Sequence, residues 1–225
     1  MSSSGTLYQR AGEVIPGGIF GHYGHGVRES GPKFFSRAEG SHFWDVDGNE
    51  YIDLMCAYGP MILGYNHPAI DEAARAQLSM GNTVSLAAPI MVELAEALVD
   101  QVSGVDWALF GKNGGDSTGL SVMIARAATG REKIVKVADG YHGVAAWMQA
   151  GRPGMTPADG SDVLTVAWND VEGFERLIGE HPDEIACFIS SPYDHPVMRD
   201  NELPAQCFHP LPVALGRQNG IVLIV

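Results

Sequence analysis

Cysteine is scarce in this chain. Cys56, Cys187 and Cys207 are the three among 225 residues, and no two of them form a CxxC pair. An odd, scattered set excludes a disulfide framework and a structural zinc site, and points to a reducing cytoplasm. Basic residues are also few: 14 Lys and Arg stand against 27 Asp and Glu, a net charge of −13. That balance excludes nucleic acid and anionic membrane as main partners. No apolar run approaches the ~20 residues of a membrane helix. The opening Met-Ser-Ser-Ser-Gly-Thr lacks the basic patch and apolar stretch of a signal peptide. Repeats and low-complexity segments are absent. So are a Walker GxxxxGK[ST] and a GxGxxG fingerprint, because Lys112 precedes its glycines instead of following them. His22 and His25 are three apart in a loop with no third ligand at matching spacing, so they read as solvated histidines and no metal is expected.

What is present is a change of rhythm. Leu7, Ala11, Val14 and Ile15 share a helical face stopped by Pro16-Gly17-Gly18, and an aperiodic glycine-rich loop runs from Ile19 to Pro32. Lys33 to Leu54 alternates around Asp47-Gly48-Asn49 and predicts two or three short antiparallel strands. Pro68 and Pro89 each stand at the first position of a helical pattern. Beyond them come five strand-like runs: Val105–Phe110, Lys133–Val137, Val163–Trp168, Ile185–Ser190 and Ile221–Val225. Helices are expected over Ser117–Ala128, closed by Gly130, after the Tyr141 loop, and over Asn169–Ile178, where Asn169 and Glu172 have capping-box spacing. Three prolines, at 204, 210 and 212, predict an irregular segment from Leu203 to Asn219, and Ala150–Ser161 reads as a surface loop. The fold class is therefore α/β with a mainly parallel sheet, split into a segment 1–66 and a larger domain 67–225.

Two loops fall where ligands bind in such sheets, beyond the carboxyl ends of strands. The first, Phe110 to Thr118, is a strand exit, a glycine turn and a helix start, which together make an anion site suited to phosphate. A structural βα turn has the same composition. The second is Tyr141-His142-Gly143, whose tyrosine could lie flat on an aromatic ligand or merely cover the sheet edge. A third glycine-broken stretch, Tyr58-Gly59-Pro60 with Gly64 to Pro68, links hairpin to helix; His67 there reads as a cap or turn residue.

The runs Trp44–Asp53 and Gly59–Pro68 resemble class III aminotransferases, which are fold type I enzymes dependent on pyridoxal 5'-phosphate. Arg10–Gly18, Ala125-Arg126, Gly130–Ile134 and Gly140–Gly143 are most similar to the glutamate-1-semialdehyde aminomutase branch. The resemblance implies a fold type I large domain, pyridoxal phosphate as cofactor, and a homodimer. By it, Asn113–Thr118 matches the family's phosphate loop, and the backbone N–H groups of Gly115 and Asp116, beside Gly114, would hold the phosphate. Tyr141 would stack on the cofactor ring with His142 as its neighbour, and Tyr58, with Tyr23 or His22, would line the substrate side. Asp116 stands where the family has threonine, a carboxylate that must turn away to cap the helix.

Other departures bear on substrate. Ser190-Ser191-Pro192 stands for the family's Val-Glu-Pro, and Tyr23 stands near the arginine of the aminomutase branch, so glutamate-1-semialdehyde is a poor substrate guess. The family's aspartate for the pyridine nitrogen and its Schiff-base lysine would both follow Val225. Lys33, Lys112, Lys133 and Lys136 are the chain's lysines, and none matches it. The implied activity is transfer of an amino group between an amine or amino acid and a carbonyl acceptor, by a chain expected to be truncated before that lysine. An aminomutase or racemase of the same fold is the alternative within the family; an inactive fragment or non-catalytic oligomerising subunit is the alternative outside it.

Overall fold

The computed structural model describes residues 3–19, 31–82, 84–194, 200–206, 208 and 210–225, which group into two compact units, Met1–Ala88 and Pro89–Val225. In the first unit, α1 (Ser3–Val14) begins at a carboxylate: Asp47 Oδ1 accepts from Ser3 N at 2.6 Å and from Ser4 N at 3.3 Å, satisfying orphan donors at the helix start. Asp47 comes from the turn of a three-stranded antiparallel sheet, ordered β1 (Phe35–Glu39), β2 (His42–Asp45), β3 (Glu50–Ile52), as the Asp-Gly-Asn punctuation predicts. The helix α2 (Pro68–Ser79) follows with its proline in the first turn. His67 is its N-cap by backbone, its carbonyl accepting from Ile70 and Asp71, while its Nδ1 is buried with no partner among the described residues.

The hairpin is organised by Asp45, which is 5% exposed. Its carboxylate accepts from Asp47 N, Asn49 N and Asn49 Nδ2, each at 2.9 Å, and from Tyr51 OH at 3.1 Å. These bonds, led by the Asn49 side chain, hold its pKa below the usual carboxylate range and outweigh the opposing effect of burial. A carboxyl with a depressed folded-state pKa contributes stability above its unfolded pKa, about 4, and loses it as pH falls through the folded value. Asp45→Ala is therefore expected to lower the melting temperature of the hairpin unit at neutral pH. The difference from wild type should shrink as pH falls below about 4. Differential scanning calorimetry at both pH values checks it, and a pH-independent difference would contradict it.

The second unit opens with α3 (Pro89–Gln101), and then departs from expectation. Val105–Phe110 is no strand: an apolar run becomes one only when a neighbour offers a ladder, and no described strand pairs with it. Trp107 and Leu109 are accordingly exposed. After α4 (Gly114–Thr129), ended by left-handed Gly130 as anticipated, come β4 (Lys133–Val137), β5 (Val163–Val166), α5 (Val171–Glu180), β6 (Ile185–Ile189), α6 (Pro210–Asn219) and β7 (Val222–Ile224). The strands form one parallel sheet in the order β5-β4-β6-β7.

Three local readings are corrected. Of the segment expected to be irregular, the described residues from Leu203 to Phe208 are non-helical, but Pro210–Asn219 is a helix, because residues 210 and 212 fall in the first turn of α6, where backbone N–H groups lack intrahelical acceptors and proline costs nothing. The cap of α5 is Asp170, whose carboxylate accepts from Gly173 N at 2.8 Å; Asn169 sits at φ +65° and binds Glu202 and Ala205 instead. After the Tyr141 turn the chain makes only single 3-10 turns, Ala146–Gln149 and Pro157–Gly160, the latter with a Thr156–Asp159 capping box.

Both faces of the sheet are covered, as a parallel sheet requires. On one, Ile134 and Cys187 pack with Val122 and Ala125 of α4. On the other, Val135, Val137, Val166 and Phe188 pack with Phe174 of α5, Phe208 and Ile221. Burial pushes the Cys187 thiol up to about 12, so it behaves as an inert core residue. Among the described residues no helix is long and apolar enough to cross a membrane.

Candidate active site

The start of α4 and the turn after β4 meet. Asn113 is the N-cap, extended at φ −152° and ψ 171°, and its Oδ1 accepts from Asp116 N at 3.0 Å. The Asp116 carboxylate turns back onto the same residue, accepting from Asn113 Nδ2 at 3.0 Å, and Ser117 N donates to Asn113 O at 3.2 Å. The cap is therefore Asn113, and the Asp116 carboxylate is held by the side chain of that cap rather than by a backbone N–H. The Asp116 amide is likewise committed to Asn113. The N–H groups that find no acceptor among the described residues are those of Gly114 and Gly115, one residue earlier than the pair Gly115 and Asp116 that the resemblance implies. They lie at the positive end of a 16-residue helix, where anions are favoured.

The turn from Ala138 to Gly143 closes against this helix start. Asp139 takes φ +60° and Gly140 N returns to Val137 O at 3.2 Å. Gly143 has φ +127°, and a Cβ there would lie 2.9 Å from Gly115 Cα and 2.7 Å from Met148 Sδ. Two glycine backbones therefore meet closely, and it is at Gly143 that a side chain would hold them apart; a Cβ on Gly115 would reach Gly143 Cα at an ordinary 3.6 Å. Thr118 Oγ1 donates across the junction to His142 O at 2.6 Å, and Gln149 Nε2 to Gly143 O at 2.6 Å. His142 is buried at 7% exposure and stacks on Trp147 with centroids 6.4 Å apart, whereas Tyr141 is 49% exposed. Lys136, on the same strand, is half-buried, and desolvation lowers its pKa.

The structure thus brings together Gly114, Gly115, Asp116, Tyr141 and His142. Tyr58 belongs to the first unit, where it ends an unusual left-handed run: Cys56, Ala57 and Tyr58 have φ of 49°, 49° and 65°. Such conformations cost non-glycine residues roughly 1–2 kcal/mol each and persist only where surroundings enforce them. Asp53 does so, its carboxylate accepting from Met55 N at 2.8 Å and from Tyr65 OH at 2.5 Å. The Tyr65 bond is the main cause that holds Asp53 low, and the same bond raises Tyr65 to about 12. Tyr23 and His22 lie outside the described residues, as do His25 and Cys207. Among the described residues no cluster of three His, Cys, Asp or Glu could hold a metal ion. Thr118 and Gly143 end loops that the sequence marks but were given no role of their own, and Gln149 carried no signal.

A phosphorylated ring compound fits this junction. Two N–H groups at the helix start are unclaimed among the described residues, the Asp116 carboxylate is bonded to the Asn113 side chain, and an exposed tyrosine follows the adjoining strand. The comparisons agree. Residues 25–154 match the family model for class-III aminotransferases. An aminopentol aminotransferase of Sphingopyxis macrogoltabida is 40% identical over 198 residues, 88% of this chain and 47% of that protein. A glutamate-1-semialdehyde 2,1-aminomutase of Rhodopirellula baltica is 34% identical, over 83% of this chain and 46% of that protein. Among solved structures, the pyridoxal-phosphate internal aldimine form of the Sphingopyxis sp. MTA144 FumI protein superposes with a TM-score of 0.93 at 38% identity, covering 98% of this chain and 53% of that one. The chain spans about half the length of the curated relatives it matches.

Proposed function

This chain belongs to the class III aminotransferase family, with its fold type I architecture, and from that premise we propose that it carries the phosphate cup and ring-facing turn of a pyridoxal-phosphate-dependent aminotransferase. The observation that carries the reading is the pair of unclaimed N–H groups at Gly114 and Gly115, locked against the turn that bears Tyr141. Pyridoxal phosphate supplies the electron sink for chemistry at an amine-bearing carbon. The chain's own residues bind and orient. Gly114 and Gly115 donate to the phosphate, Asp116 and Asn113 hold the helix start open, and Tyr141 lies against the ring with His142 fixing the turn from within the core. Tyr58, Tyr23 and His22 are assigned to the substrate side on the resemblance alone. The reaction is transfer of an amino group between an amine or amino acid and a carbonyl acceptor. Rearrangement within one molecule is the alternative, aminotransferase and aminomutase relatives being 40% and 34–38% identical to the chain. A requirement for an external carbonyl acceptor separates the two. No lysine of the chain is given the Schiff-base role, since none of the four, Lys33, Lys112, Lys133 and Lys136, matches the family's position; Lys133 pairs with Glu184 at 2.8 Å, Lys33 lies over the Tyr8 ring, and Lys136 is half-buried in the sheet.

A homodimer is part of the proposal. No residue of α3 is buried, and Ile90, Met91, Val92 and Leu94 are exposed, an apolar surface that a second copy would cover. Light scattering that shows only monomer would contradict it.

The cup is tested by deleting one N–H without moving the backbone. Gly114 is the first helical residue, Asn113 before it is extended as proline requires, and nothing lies within 4 Å of a Cβ there. Gly114→Pro should fold normally and weaken pyridoxamine phosphate binding by roughly 10–100-fold, the worth of one hydrogen bond to a charged group. Fluorescence titration measures it, with pyridoxamine, which lacks the phosphate, unaffected. Wild-type protein that fails to bind pyridoxamine phosphate would sink the cofactor reading.

A further inference from the structure

We propose that Thr118 is a positioning residue that sets the distance between the phosphate cup and the ring-facing turn; this rests on the reading of the site as a phosphate cup. Its hydroxyl has one proton and three acceptors in reach: His142 O at 2.6 Å, and the intrahelical carbonyls of Gly114 at 3.0 Å and Gly115 at 3.1 Å. The shortest of these is the one that leaves the helix, and it is partly buried. A serine or threonine on a helix ordinarily returns its proton to its own turn. Here the donor is spent on a segment 24 residues away.

The acceptor is well placed to transmit the constraint. His142 follows Tyr141 directly, is anchored by its stack on Trp147, and is followed by Gly143, whose carbonyl is held by Gln149 and whose backbone meets Gly115. Thr118 stands one helical turn after Gly114 and Gly115, the two cup donors. A single hydroxyl thus ties the element that would grip the phosphate to the element that carries the aromatic. The interlocked glycines bring the two elements into contact, but a contact between bare Cα atoms fixes no direction along the seam. A directional hydrogen bond does.

The consequence is specific. A ligand that uses only the cup should be indifferent to Thr118, while one that uses cup and ring together should need it. Thr118→Val keeps the branched shape and removes the hydroxyl; Thr118→Ser keeps the hydroxyl. Calorimetric or fluorescence titration with inorganic phosphate and with pyridoxamine phosphate reads the difference. Thr118→Val should bind phosphate within twofold of wild type and pyridoxamine phosphate about tenfold more weakly, the factor expected for one net hydrogen bond. Its bound ligand should lose at least half of its induced circular dichroism, and Thr118→Ser should restore both. Amide exchange at Tyr141 to Gly143 in the free protein should accelerate about tenfold in Thr118→Val and not in Thr118→Ser. Thr118→Ala carries the same expectations should the valine variant not fold. Equal weakening of both ligands, or exchange unchanged by loss of the hydroxyl, overturns the proposal. Wild-type protein that binds neither ligand sinks the cup reading instead, while the exchange experiment still decides whether the tie exists.

Discussion

Gly143→Ala is expected to be the most damaging single-methyl substitution in the second unit. The new Cβ would lie 2.9 Å from Gly115 Cα and 2.7 Å from Met148 Sδ, on a residue whose φ of +127° disfavours any side chain. Met148 can turn, although at 4% exposure it has little room; Gly115 is backbone and cannot. Backbone strain of about 1–3 kcal/mol adds to overpacking of about 1–3 kcal/mol, a total of roughly 2–6 kcal/mol. At about 2–4 °C per kcal/mol for a chain of this size, that is a fall of roughly 4–24 °C in melting temperature. Relief by moving the turn off the helix start would also separate Tyr141 from the cup, so pyridoxamine phosphate binding should weaken at least about tenfold, beyond what the loss of stability explains. Gly114→Ala is the matched control. It adds the same methyl group at the same junction, at an ordinary helical φ with nothing within 4 Å, and should be neutral or slightly stabilising. Thermal melts and titrations of the two variants side by side settle the matter. Equal behaviour would show that the interlocked glycines set nothing.

That contrast marks where sequence ceases to be informative. Periodicity and punctuation were enough for α4, its Gly130 stop and the strands β4 and β6, because those signals are local and agree with burial on both faces of the sheet. Asp47-Gly48-Asn49 likewise predicted the hairpin, since only certain residues tolerate its turn. Val105–Phe110 failed because apolar content promises burial without naming the partner that must supply a ladder. Residues 210 and 212 misled because proline was counted as a breaker without regard to its position in the helix. At the candidate site, the glycines and Tyr141 were legible as residue types, in two loops that the structure brings together. The side-chain choices of Asn113 were not: by capping Asp116 N it leaves Gly114 and Gly115 as the open donors, a shift of one residue. Thr118 was invisible for the same reason, since its partner is a backbone carbonyl on another element.

Arg131→Ala is expected to cost the second unit about 2–4 kcal/mol, because the guanidinium is the common tie of three strand entrances. Arg131 stands two residues before the first residue of β4. Its Nη1 donates to Ile185 O, the first residue of β6, at 3.2 Å, and to Asn219 O at 2.7 Å and Gly220 O at 3.3 Å, on the approach to β7. Its Nη2 meets Asp183 Oδ1 at 2.8 Å. The Arg131 side chain is 17% exposed and Asp183 is 89% exposed, which separates the two contributions. An ion pair with so exposed a partner is worth about 0–1 kcal/mol, so Asp183→Ala should change little. The larger effect comes from carbonyls of two connections left without their donor. Arg131→Lys should recover less than half of the loss, because one ammonium on a flexible stem cannot reproduce a planar fork reaching both connections and the carboxylate. Urea unfolding of the three variants gives the ranking directly. The midpoint should fall most for alanine at 131, less for lysine, and least for Asp183→Ala. If Asp183→Ala matched Arg131→Ala, the ion pair would be the stabilising contact. The strand entrances, at the end of the sheet opposite the Tyr141 turn, would then be held by their own backbone pairing alone.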